Sequence, residues 1–107
     1  MDKREIEKIK EEIKKFKKKI KAEKVIIFGS FARGEFGEHS DIDLLLVSKR
    51  FRGKKFHERF KGLWLKWHLD LPVDFICYTP EEFEKLKKEV SIINEALREG
   101  VEVWNFV

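Results

Sequence analysis

One cysteine (Cys77), one methionine and two prolines are all that this chain of 107 residues holds of these types. A lone cysteine excludes an internal disulfide. No apolar run approaches the roughly 20 residues that a membrane span requires. The charged beginning carries no apolar signal core, so the expected location is the cytoplasm. Charge of neither sign dominates: 24 Lys and Arg against 20 Asp and Glu leave +4. That excess is too small to argue for nucleic acid by itself, and direct nucleic-acid binding is not expected. Much of it falls between Lys14 and Lys24, where it suits the solvated side of a helix. The length fits one compact domain, 1–107, with little room for a separate substrate-binding unit.

What is present is charge of both signs (41%) over a hydrophobic fraction of 42%. Periodic placement of the apolar residues argues for a folded domain with a heavily charged surface. Richness in Lys and Glu is also a feature of proteins from hot environments. Residues 2–22 read as a helix, because Ile6, Ile9, Ile13, Phe16 and Ile20 recur at spacings of three and four. Lys24 to Phe28 is a β-branched apolar run closed by Gly29, and reads as a buried strand. A short helix is expected from Ser30 to Arg33, then a loop from Gly34 to His39. Ile42 to Val47 reads as a second strand covered on both faces. Residues 54–69 carry Phe56, Phe60, Leu63, Trp64 and Trp67 at helical spacing, with Gly62 as a weak point. Val73 to Tyr78 is a third strand. Thr79-Pro80-Glu81-Glu82 has the makings of a capping box with proline in the first turn, opening a helix that carries Phe83 and Leu86. A further helix at 90–98, ended by Gly100, and an edge strand from Val101 to Trp104 complete an α/β (α+β) domain with one mixed sheet.

The chemistry centres on carboxylates. Asp41 and Asp43 are two apart on a strand and so share a face. Their mutual repulsion is relieved by a hard divalent cation, and Mg²⁺ takes carboxylate oxygens together with substrate phosphates. From Asp-x-Asp alone, two solvated aspartates at a strand start are an equal possibility. Gly29-Ser30 closes a strand where backbone N–H groups and the Ser30 hydroxyl can meet a phosphate, although an ordinary turn explains so short a motif as well. It is no P-loop, since no Gly-Lys-Ser/Thr follows. Asp74 near the start of an apolar strand needs a partner or a metal. If its strand neighbours the second, Asp41, Asp43 and Asp74 can together hold two metals roughly 4 Å apart for in-line phosphoryl displacement. Asp70 is the competing third carboxylate, in the loop before Pro72. Arg33 is placed either to contact triphosphate or to face solvent. Cys77 falls opposite Asp74 by alternation and reads as an inert core thiol. Trp64 and Trp67 suit core or subunit contacts, which leaves a homo-oligomer open. His57 and His68 have no matching ligand set for zinc.

Gly29-Ser30-Phe31-Ala32-Arg33-Gly34, followed by Ser40-Asp41-Ile42-Asp43-Leu44-Leu45-Leu46-Val47, resembles the signature of the DNA-polymerase-β-like nucleotidyltransferases, and of their minimal nucleotidyltransferase branch in particular. The resemblance implies a mixed sheet with helices packed on one side, two Mg²⁺ ions, and ATP or another nucleoside triphosphate as substrate. Asp41 and Asp43 would bind both metals, Asp74 would bind the catalytic metal and help activate a hydroxyl, and Gly29 and Ser30 would hold the β- and γ-phosphates. The branch also implies transfer of AMP to a protein, as the antitoxin of a HEPN-domain toxin. Neutralisation of the partner by contact alone, and RNA-terminal nucleotidyl transfer, are the alternatives to be separated from it.

Overall fold

A computed structural model describes residues 3–29, 42–89 and 101–102. Helix α1 (Lys3–Ile20) opens the chain. It stops where Lys21 turns into the left-handed region at φ 54° and the Ala22 N–H returns to the Lys17 carbonyl. Strand β1 (Lys24–Phe28) pairs antiparallel with β2 (Ile42–Val47). Strand β3 (Val73–Tyr78) lies parallel to β2 on its other side. A two-residue β4 (Val101–Glu102) extends β1, giving the order β3-β2-β1-β4. All three long strands occupy the residues expected from their apolar runs. Of the expected last strand, Val101 and Glu102 are observed at the sheet edge, and Val103 and Trp104 lie outside the described residues. So do the expected helices at 30–33 and 90–98 and the loop at 34–39. No helix among the described residues is long and apolar enough to cross a membrane.

Alternation along the strands divides the core in two. One face carries Val25, Ile27, Ile42, Leu44, Leu46, Val73 and Cys77 against Ile9, Ile13, Phe16 and Ile20 of α1. The stripe read from the sequence is therefore the buried face of that helix. The opposite face carries Ile26, Leu45 and Val47 against Phe83 of α2 (Pro80–Lys87). Packing on one side describes α1, while α2 adds a smaller cover to the other side, consistent with a β2 that is apolar on both faces. The start of α2 is the expected capping box: Thr79 Oγ1 accepts from the Glu82 N–H, and the Glu82 carboxylate accepts from the Thr79 N–H.

The expected helix over 54–69 does not form. Two short 3-10 turns, Phe56–Glu58 and Leu63–Lys66, take its place, after a third at Lys49–Phe51 in the same segment between β2 and β3. Gly53 and Gly62 adopt φ of 78° and 83°, which glycine enters without steric cost and which ends a right-handed helix. Leu63 is buried and Trp67 packs edge-on against Phe16 at 5.3 Å, but Phe56, Phe60 and Trp64 are left exposed.

Arg59 fastens this segment. Its guanidinium is almost fully buried and donates to both Glu82 oxygens, to the Cys77 carbonyl at 3.2 Å, and to the Lys54 carbonyl at 3.1 Å. Hydrogen bonding from Arg59 holds the Glu82 carboxyl below its usual range, with the Thr79 N–H adding to the effect against partial desolvation. Removing one partner strands the other, a loss of about 3–5 kcal/mol for a fully buried pair. Glu82 is half exposed, so Arg59→Ala is expected to cost about 2 kcal/mol in urea unfolding at neutral pH. A depressed carboxyl stabilises the fold above its unfolded pKa, and that contribution disappears as pH falls through the folded value. The wild type should therefore lose more stability on acidification than Arg59→Ala does.

Candidate functional site

Asp43 and Asp74 are register partners on the parallel strands β2 and β3. Neighbouring strands are roughly 4.8 Å apart, so the two carboxylates leave the sheet side by side. Both belong to the face of Leu45, Val47 and Tyr78, opposite α1. They sit at the strand starts, whereas Phe83 covers the other end of that face. Asp43 is partly buried and Asp74 is exposed. Asp70, the competing carboxylate, is exposed in the bend before β3.

Gly29 completes this end of the sheet. Phe28 is the register partner of Asp43, and Gly29 follows at φ 78° as β1 ends. A Cβ on Gly29 would run into Asp43 Oδ2 and lie 3.2 Å from Asp43 Cγ. The position therefore requires glycine twice, for its backbone conformation and for the close approach of backbone to carboxylate. Of the residues singled out in the sequence, the fold brings together Gly29, Asp43 and Asp74. Asp41, Ser30 and Arg33 lie outside the described residues, as do His39 and Ser40.

Two carboxylates side by side, one of them packed against a bare glycine backbone, are a donor set suited to a hard divalent cation. Gly29 itself adds no side chain there, and a glycine turn at a strand end suits the approach of a phosphate to backbone N–H groups. Cys77 takes no part. It points into the α1 side of the core, and burial pushes its thiol up to about 12, where it is neither nucleophile nor ligand.

The pattern of residues did not reveal that aromatics flank Asp74 at the sheet edge. Phe60, Trp64, Val73, Asp74 and Phe75 line a cleft of about 200 Å³. Helical spacing put Phe60 and Trp64 on the apolar side of one helix, with Trp64 suited to core or subunit contacts, whereas both are exposed in the broken segment around Gly62. Gly62 was the available signal, but its presence alone does not disclose the positive φ that it adopts.

Residues 6–102 match the model of the nucleotidyltransferase domain family. A Methanocaldococcus jannaschii protein provisionally named a protein adenylyltransferase is 38% identical over 83 residues, 78% of this chain and 80% of that protein. A second protein of that organism with the same provisional name is 56% identical over 27 residues, 25% of this chain and 27% of its own. Among solved structures, a provisionally named nucleotidyltransferase from Sulfolobus solfataricus superposes with a TM-score of 0.60 at 26% identity, covering 94% of this chain and 80% of that one.

Proposed function

Because the chain belongs to the nucleotidyltransferase domain family, and is an enzyme of nucleotidyl transfer, we propose that it moves AMP from ATP to a hydroxyl group on a protein acceptor. The observation that carries the chemistry is the in-register pair Asp43 and Asp74 beside the bare backbone of Gly29. The protein acceptor is supported by the names of the two Methanocaldococcus relatives.

Asp43 and Asp74, with Asp41 from the sequence pattern, would hold Mg²⁺. Bound there, the cation would neutralise carboxylate and phosphate charge and polarise the phosphoryl group. Gly29 leaves space for the β- and γ-phosphates, with Ser30 donating its hydroxyl and Arg33 its guanidinium to them. Asp74, on the outermost strand of the trio, orients the incoming hydroxyl and receives its proton. The placement of Asp43 against Gly29 matters because misplacement by about 1 Å costs on the order of 100-fold in rate. In the cell the acceptor would be a HEPN-domain toxin that the transfer inactivates.

Incubation with α-labelled ATP, Mg²⁺ and a HEPN protein from the same genome tests this. The expected result is label that survives denaturation, sits on the partner protein, and is lost with chelator. Neutralisation of the partner without any label would show that contact suffices. Label appearing on RNA ends instead of protein would assign the enzyme a nucleic-acid acceptor.

A further inference from the structure

Large apolar side chains exposed among the described residues fall within residues 56–65: Phe56, Phe60, Trp64 and Leu65. Two of them, Phe60 and Trp64, wall the cleft that opens on Asp74. One wall of the cleft is anchored on the core. The Trp64 ring meets Phe75 edge-on at 5.1 Å, and Phe75 stacks on Phe16 of α1 at 5.5 Å, so the wall is continuous with the core. Asp74 is the one charged group among the described lining residues. A cleft walled by aromatic rings at the β3 edge, with Asp74 on its rim, suits a ligand with an apolar body and a polar group beside it.

We propose that this cleft is the acceptor subsite, seating an apolar or aromatic side chain next to the hydroxyl that receives the nucleotide, and thereby selecting which protein segments are modified. The assignment rests on the role given above to Asp74. In-line displacement puts the incoming oxygen opposite the departing pyrophosphate. With the phosphates at Gly29 on β1, the hydroxyl enters from β3, the far side of β2. The acceptor oxygen bonds to the α-phosphorus as the bond from that phosphorus to the β-phosphate oxygen breaks. Pyrophosphate leaves with the electron pair, and the hydroxyl proton passes to Asp74 and on to solvent. A nucleoside does not suit the cleft, since pockets for molecules of that size run to about 300–1,000 Å³. A single large side chain does.

The probes are synthetic peptides with one hydroxyl-bearing residue flanked by leucine and phenylalanine, and matched peptides flanked by glycine. Labelling from ATP with Mg²⁺, calorimetric peptide binding and ATP affinity are measured for each protein. The wild type is expected to favour the apolar-flanked peptides by about tenfold or more in kcat/KM. Phe60→Ser and Trp64→Ser, both at exposed positions, should bring that ratio close to one with ATP affinity unchanged. Leu65→Ser, exposed but outside the cleft, should keep the preference. Survival of the preference in Trp64→Ser overturns the proposal, and so does a Trp64→Ser protein whose ATP affinity falls, since the cleft then holds the base. A wild type that binds ATP but neither binds nor labels any peptide also overturns it, leaving nucleotidyl transfer to another acceptor intact. If ATP itself is not bound, the transferase assignment of the site fails, while Trp64-dependent peptide binding still decides the cleft.

Discussion

Asp74→Asn is expected to lower nucleotidyl transfer on the order of 10²–10³-fold while leaving the fold as stable or slightly more stable. The two effects have one origin. Asp74 and Asp43 are register partners on adjacent strands of one face, so two like charges stand side by side. Like charges on neighbouring strands destabilise a sheet, by an amount on the order of the 0.2–1 kcal/mol of other cross-strand pairs. An amide at position 74 keeps the shape, removes the repulsion, and takes away a ligand oxygen and the proton acceptor. Asp74 is exposed, so the amide meets no desolvation cost. Thermal unfolding of the metal-free protein alongside the transfer assay checks both signs. A variant that loses activity by unfolding would lower both quantities together, which the geometry does not predict.

Gly29→Ala should damage stability and site together. At φ 78° a side chain is strained wherever it points, a cost of about 1–3 kcal/mol. The added methyl also runs into the Asp43 carboxylate, so either β1 or Asp43 must move. A loss of about 2 kcal/mol in urea unfolding is expected. With Asp43 displaced, transfer should fall by about 100-fold or more even at temperatures where the variant is fully folded. Gly53→Ala provides the comparison. It shares the positive φ but meets nothing within 4 Å, so it should lose stability and keep activity.

The strands were legible because each is a short run buried on one or both faces and bounded by glycine, proline or charge. The capping box at Thr79 was legible because its parts are local in sequence. The segment between β2 and β3 was not. Its aromatic spacing is helical, and two glycines with positive φ, together with the long-range tie from Arg59 to Glu82, override it. A bond spanning 23 residues leaves no mark in a local pattern. The candidate site was legible in its residue types but not in its assembly. That Asp43 meets Asp74 depends on β3 lying parallel beside β2, a pairing across the sheet that no single run of residues encodes. The close packing of Gly29 on Asp43 likewise depends on the antiparallel register of β1 and β2. The aromatic cleft became visible only once the helix had broken.

The most direct measurement is calorimetric titration of Mn²⁺, standing in for Mg²⁺, into the protein in the presence of a non-hydrolysable ATP analogue. The wild type is compared with the double substitution Asp43→Asn and Asp74→Asn. Saturable binding in the wild type, weakened at least tenfold in the folded double variant, is the predicted result. Equal Mn²⁺ affinity in the two proteins would contradict the assignment of these aspartates as the centre of the site.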